Sequence, residues 1–501
     1  MGVVIKETIK TSIVNYLGII IGAFNVLWLQ TSILTEVEIG IIKYYFDLSI
    51  LVVPFLIIGA NSLPSRFLHR FKTRREENGF LSFIFIVPAF LFSVFLFYFY
   101  LSLRYDLFVF TSGNIDEKFV LPFIMLVFAN VYLHIFEGSL LAISKVFIFS
   151  ILKNVVIRIL FTLLLFLYAY QVIDFYKLFV IYSSLFLGEL IILALYFIKI
   201  RGFSFNLTFF SHPTRKEIVK YSLFLIIGTG GVILMSKIDT LMIHNFLITS
   251  KDVYGFIGVY SISFFIASII EMPAKIMVQL LFPLMAKMAT ENKNDKLEEL
   301  YQKSAINGTL ISIFFFLLIW YNLDALFSLI PNGSVYAEGK YVVLFIGLSK
   351  IIDLFFGYSH GVLSSTKYYR FSLYLFPILL GFTIIFNYFL IPIYGIKGAA
   401  LATFLTIFVY SFIRYVLVLK LLNMNSLSQK HSILLGITML TILVFEIKSV
   451  LFQNLFLEIG FNSVFLTLFF LSLTSVASVS EELNGMLKKI KTRLAFGKKE
   501  K

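Results

Sequence analysis

Long apolar runs separated by short charged clusters make up this 501-residue chain. A helix crossing about 30 Å of hydrocarbon needs roughly 20 predominantly apolar residues, and fourteen stretches of that kind are legible. They begin near Ile9, Ile39, Gly79, Phe119, Phe147, Leu178, Ile218, Val253, Ala305, Tyr341, Phe371, Gly398, Ser432 and Phe461. Polar punctuation such as Arg70-Phe-Lys-Thr-Arg-Arg75, Ser211-His-Pro-Thr214, Glu291-Asn-Lys-Asn-Asp295 and Pro331-Asn-Gly333 divides them. Strands of a membrane barrel alternate apolar and polar residues, and these runs do not. The pattern predicts an all-α integral membrane protein of about 14 transmembrane helices.

Within that pattern the chain repeats itself at offsets of about 210 to 222 residues. Glu7-x-x-Lys10-x-Ser12 followed by Gly18 matches Glu217-x-x-Lys220-x-Ser222 followed by Gly228. Thr35-Glu-Val-Glu-Ile-Gly40 matches Ser250-Lys-Asp-Val-Tyr-Gly255, and Leu141, Lys145, Phe149 and Ser150 match Leu363, Lys367, Phe371 and Ser372. Six spans per repeat is an even number, so both repeats enter the membrane in the same sense. The expected organisation is two pseudo-symmetric six-helix lobes, 1–205 and 206–425, two extra C-terminal spans in 426–480, and a basic tail at 481–501. A cleft between such lobes, opened alternately to each side, is the natural place for a cargo.

Composition sharpens the class. The chain is 59% hydrophobic and only 14% charged, with 60 Phe, against about 25% charged residues in soluble domains. The absence of Cys excludes disulfides and thiol chemistry. The net charge of +14 lies in short loops, where it fits anionic lipid headgroups and the topology rule better than nucleic acid. With the amino terminus inside, 29 of the 42 Lys and Arg fall in cytoplasmic loops and tails, seven on the opposite side and six inside spans. Both termini are therefore expected in the cytoplasm, and the first span is read as a true span rather than a cleavable signal. No loop is long enough for a catalytic domain, so an enzyme is not expected. The tail carries Leu487, Ile490 and Leu494 at amphipathic spacing and is expected to lie along the inner leaflet.

Ionisable residues inside spans cost about 2.5–3.5 kcal/mol each at mid-bilayer on insertion scales and mark functional sites by default. They are Lys43, Asp47, Glu137, Arg158, Glu189, Lys237, Asp239, Glu271, Lys275, Lys350, Asp353 and Arg414, six basic and six acidic. Lys43/Asp47 and Glu271/Lys275 are four apart and Lys350/Asp353 three apart, so each pair shares a helix face. Lys237 and Asp239 diverge and need partners elsewhere. Arg414, close to a span end, is expected to snorkel. Lys43, Arg158, Lys237 and Lys275 are the candidate cavity cations. Asp47, Asp239, Glu271, Glu137 and Asp353 are candidates either for proton or sodium coupling or for mutual pairing. His134, His244 and His360 lack the spacing of a metal site, and a buried hydrogen-bonded pair is expected for His134/Glu137. Gly18/Gly22 and the Gly228-Thr-Gly-Gly231 run favour close packing or a bend.

The segments Leu363-Ser-Ser-Thr-Lys-Tyr-Tyr-Arg-Phe-Ser372 and Asn387-Tyr-Phe-Leu-Ile-Pro-Ile-Tyr-Gly-Ile-Lys-Gly-Ala-Ala-Leu-Ala-Thr403 resemble spans ten to twelve of polysaccharide flippases. The turn from Leu34 to Gly40 and the stretch 331–340 resemble that family's first hairpin and its outer turn before span ten. The chain thus resembles the O-antigen flippase branch of the multidrug/oligosaccharidyl-lipid/polysaccharide (MOP) exporter superfamily over about residues 5 to 480. The resemblance implies a MATE-like two-lobe transporter of the bacterial inner membrane. It would move an undecaprenyl-diphosphate-linked oligosaccharide to the outer leaflet without a cofactor, alongside polysaccharide assembly proteins. The four candidate cations would then meet the diphosphate. Alternatives are a lipid II or teichoic-type precursor flippase, a drug/cation antiporter of the same fold and, least favoured, a membrane glycan polymerase or ligase.

Overall fold

A computed structural model describes residues 2–105, 116–207, 209, 214–225, 231–248, 250, 252–447 and 454–485. Among the described residues there is no strand, and twelve helices are long and apolar enough to cross a membrane. Spans one to six are Ile13–Ile33, Glu36–Ile57, Arg74–Tyr105, Glu117–Ala142, Phe147–Ala169 and Phe175–Arg201. Spans eight and nine are Val253–Lys275 and Asn294–Trp320, and spans eleven to fourteen are Tyr374–Tyr394, Ile396–Leu422, Gln429–Ile447 and Leu455–Val476. Span ten is a bent pair, Gly333–Phe355 and Ser359–Ser365, with a 44° change of direction. The expected span seven falls on two described helices, Arg215–Leu225 and Gly231–Leu247. Most of the Gly228–Gly231 run, Ser211 to Pro213, and the tail positions Leu487, Ile490 and Leu494 lie outside the described residues.

The chain forms two compact units, Met1–Ser261 and Ile262–Lys501. The sequence repeat turns over at 205/206, whereas compactness divides the chain within span eight. The reason is local. Helix Gly231–Leu247 packs on span two, and span eight crosses span two through glycines on both helices. A Cβ at Gly40 would fall on the Tyr254 carbonyl, and one at Gly258 on the Glu36 carbonyl. Gly40 and Gly255, one of the matched pairs of the sequence repeat, thus belong to two helices that touch at their outer turns.

Span two is the most buried candidate span. Thr35 caps it reciprocally: its hydroxyl accepts the Glu38 amide at 3.2 Å while the Glu38 carboxylate accepts the Thr35 amide at 2.8 Å. Such a box satisfies two otherwise orphaned donors at a helix start. Tyr44 and Tyr45, both fully buried, carry the span into an aromatic core with Phe119, Phe123 and Phe179. Two neighbouring helices wind locally as π-helix, span one over Asn25–Gln30 and span five over Leu152–Val156.

In the second unit, Met285, Leu297, Tyr301, Val362, Leu363, Val418 and Met424 form a core. Span ten bends where Gly357 takes φ +73°, a conformation that side chains rarely adopt, and a Cβ there would meet the Tyr301 ring. The last two spans pack on each other and on span nine. Asn322 and Asn462 supply polar bonds there, to Ser463 at 3.3 Å and to the Tyr321 carbonyl at 3.2 Å.

Candidate functional site

In the first unit an anion sits beneath two cations. Asp47, fully buried on span two, receives Lys43 Nζ at 2.8 Å, Lys237 Nζ at 2.9 Å and the Thr240 hydroxyl at 2.9 Å. Lys43 reaches it from one turn away on the same helix, and Lys237 and Thr240 from Gly231–Leu247. Burying a charge is tolerated when it is paired and hydrogen-bonded, and three donors around one carboxylate meet that condition. Two lysines against one acid leave this cluster with one positive charge. Asp239, two residues from Lys237, turns the other way and accepts the Tyr260 hydroxyl at 2.8 Å.

Arg158 lies on the same unit. Its guanidinium donates to the Gly18 carbonyl and fills the space above Gly22, where a Cβ would collide with it. Gly22 is therefore a seat for a cation, while Gly18 gives the close helix packing its spacing suggested, since a Cβ there would fall on the Asn154 backbone. Around it runs a polar seam between spans one and five. Asn154 donates to Asn15 at 3.0 Å, Asn25 to the Arg158 carbonyl at 3.0 Å, and Thr162 to Asn25 at 2.8 Å. Tyr182 lies within electrostatic reach of both Arg158 and Asp47, and its ring continues through Phe186 to Phe46.

The second unit repeats the two-lysine arrangement. Glu271 receives Lys275 Nζ at 2.5 Å from its own helix and Lys350 Nζ at 2.9 Å from span ten. Lys350 thus pairs across helices rather than with Asp353, the neighbour its spacing suggested. Asp353 instead takes the Arg414 guanidinium and the Ser411 hydroxyl, the latter at 3.1 Å. Arg414 is buried, with its guanidinium 4.4 Å from the Tyr410 ring centre. The expected snorkelling is replaced by a buried guanidinium held against a counter-ion on span ten.

A family comparison matches residues 225–389 to the MatE family model. Among solved structures, the chain is similar to a lipid II flippase, MurJ, in an inward closed conformation. The TM-score is 0.69 at 15% identity, over 93% of this chain and 98% of that one. It is also similar to an inward-facing multidrug resistance MATE family transporter of the MOP superfamily, with TM-score 0.61 at 15% identity, over 81% of this chain and 94% of that one. A MOP superfamily transporter from Pyrococcus furiosus, described as having a binding pocket of reverse polarity, gives TM-score 0.53 at 15% identity over 84% and 95%. No curated protein matches by sequence. The fold is MATE- and MurJ-like.

These relatives are transporters and flippases rather than enzymes. Within this fold, the first unit brings Lys43, Asp47 and Lys237 into one cluster and seats Arg158 separately; Lys275 joins Glu271 in the second unit. Glu137 keeps to its own group, 3.6 Å from His134 and 3.7 Å from Lys153. His244 stacks on Tyr44 at 4.2 Å as part of the aromatic core. Sequence reasoning passed over Thr240, although its i+3 position from Lys237 puts it on the same face, and Tyr260, for which no sequence signal exists. It also left Glu189 without a role. That residue is buried with Oε1 unpartnered, within electrostatic reach of Lys153 and Glu137.

Proposed function

We propose that this MOP-fold protein is a flippase that moves an undecaprenyl-diphosphate-linked oligosaccharide repeat unit from the cytoplasmic to the outer leaflet by alternating access. The observation that carries the reading is the pair of clusters on membrane-spanning helices in which two lysines share one acid, each with a surplus positive charge, the first around the buried Asp47. A lipid-linked diphosphate needs cations in a site reached from the membrane, and Lys or Arg pairs with phosphate through charge-assisted hydrogen bonds. A drug antiporter for cationic cargo has the opposite requirement. In the first unit Arg158, Lys43 and Lys237 are the proposed diphosphate contacts, and Tyr182, Phe186 and Phe46 offer aromatic surface for the glycan; in the second unit the proposed contact is Lys275.

A lipid II-type precursor is the second reading. It is favoured by the extent of the similarity to the lipid II flippase, which takes in 93% of this chain against 81% for the MATE transporter. Both cargoes share the diphosphate, so the same cations serve either. The protein would reside in the bacterial cytoplasmic membrane with both termini inside, among polysaccharide assembly proteins. The 1–205 and 206–425 repeats would act as its lobes, with proton or sodium coupling as an added feature.

The test is translocation in proteoliposomes. Purified protein should transfer a polyprenyl-diphosphate oligosaccharide to the far leaflet, with lipid II as the parallel cargo. Lys237→Ala and Arg158→Ala should each lower the rate by about tenfold or more, the scale of one lost charge-assisted contact of roughly 1.5–3 kcal/mol, with membrane insertion unchanged. Movement of neither lipid would overturn the reading, and movement of lipid II alone would select the second.

A further inference from the structure

Asp47 is far better covered than the lysines it holds. Its side chain is 2% exposed, whereas those of Lys43 and Lys237 are 34% and 23% exposed. The carboxylate is therefore enclosed, while each lysine side chain keeps part of its surface open. Span two contributes the acid and one lysine, the helix Gly231–Leu247 the other lysine and Thr240. A salt bridge built only to bury charge would cover all three groups and would balance them. This one covers the anion, leaves both cations accessible and carries a charge of one in excess. The second unit differs: Glu271, at 22%, is no better covered than Lys350 at 21%, and only Lys275, at 65%, is much more exposed.

Building on the flippase reading, we infer that Asp47 is a resident counter-ion that occupies the two lysines when no cargo is present and competes with the cargo's diphosphate for them. Two unopposed lysines would repel each other in a medium of low dielectric and would hold a diphosphate too tightly for release. With Asp47 present, the arriving phosphate exchanges one carboxylate for another anion, and the carboxylate takes the lysines back as the cargo leaves. Thr240 adds a hydroxyl bond of 2.9 Å that holds the acid independently of the lysines, so the exchange moves the flexible lysines rather than the aspartate. Asp47 acts on the cargo through the lysines and is a positioning residue, not a contact.

Full-length protein in detergent is titrated with inorganic pyrophosphate by calorimetry, and the same variants are assayed for flipping in proteoliposomes. Asp47→Asn should bind pyrophosphate about tenfold more tightly than the wild type while flipping more slowly, a shift of one factor of ten in the equilibrium constant. Asp47→Glu should keep wild-type affinity. Lys43→Gln should weaken binding by about tenfold, since it leaves one lysine neutralised by one acid. The double variant Lys43→Gln/Asp47→Asn restores the single positive charge and should recover wild-type affinity, a compensation that two independent structural losses do not produce. This pair also serves where Asp47→Asn alone does not fold. If Asp47→Asn binds pyrophosphate no more tightly, or the double variant is as weak as Lys43→Gln, the counter-ion role is wrong. The flippase reading fails separately, when wild-type protein moves no lipid-linked cargo whatever its affinity for pyrophosphate.

Discussion

Arg414 is the clearest case of a buried cation whose fate depends on one neighbour. It is 8% exposed, and its named charge partner is Asp353 on span ten, with Ser411 bonded to both. Removing one member of such a pair leaves an uncompensated buried charge, which costs more than the pair itself contributes. Asp353→Asn is therefore expected to lower the thermal midpoint in detergent, by up to about 3 kcal/mol in stability given that the Asp353 side chain is half exposed. Adding Arg414→Met should recover most of the loss, since an apolar residue of similar length suits the site. Melting of the single and double variants by fluorescence-detected chromatography checks both. If the double variant melts as low as the single, the pair is not the source of the cost. This pairing also marks the limit of the sequence. Lys43/Asp47 and Glu271/Lys275 were legible because i, i+4 residues meet on any helix. Lys237 with Asp47, Lys350 with Glu271, and Arg414 with Asp353 were not, because cross-helix partners depend on which helices pack and at what rotation.

At the scale of helices, glycines separate two kinds of close approach. At Gly40 and Gly258 the obstacle to a side chain is the backbone of the other helix, which has no rotamer with which to yield. At Gly22 the obstacle is the end of the Arg158 side chain, which can move. Gly40→Val should therefore force spans two and eight apart and lower stability by about 1–3 kcal/mol, the usual cost of overpacking a fitted contact. Gly22→Ala should leave the melting temperature close to wild type while displacing Arg158, and so reduce flipping more than folding. Equal damage to melting from the two substitutions would refute this division. The spans themselves were readable because length and hydropathy suffice to define a helix in lipid, and the described helices begin within a few residues of most expected starts, as at Phe147 and Val253. The π-helical turns at Asn25–Gln30 and Leu152–Val156 and the 44° bend at Gly357 left no such signal. They arise where neighbouring side chains, Asn25 with Thr162 or Gly357 with Tyr301, decide the local path.

For the molecule as a whole, the distribution of loop charge predicts an orientation that the helices alone do not. Basic residues cluster in the loops after spans two, six and eight, and those loops are tied into the fold by specific bonds. Arg70 forks onto Glu217 at 2.9 and 3.1 Å, and Arg201 pairs with Glu77. The opposite loops carry isolated cations such as Lys340, held by Asp324 at 2.7 Å. Insertion machinery retains Lys- and Arg-rich short loops on the cytoplasmic side, so the fourteen spans expected from the sequence would put both termini there. Because the chain contains no Cys, the wild-type sequence serves directly as the background for single-cysteine labelling. Lys72→Cys, exposed in the loop after span two, and Glu338→Cys, exposed before span ten, should report opposite sides. In intact cells a membrane-impermeant maleimide should modify Glu338→Cys and spare Lys72→Cys until the membrane is opened. The reverse pattern would invert every span and put the proposed cargo path in the wrong direction. Labelling of both from outside would mean that the number of crossings between residues 72 and 338 is even, so that the expected span seven, whose described helices are Arg215–Leu225 and Gly231–Leu247, does not cross.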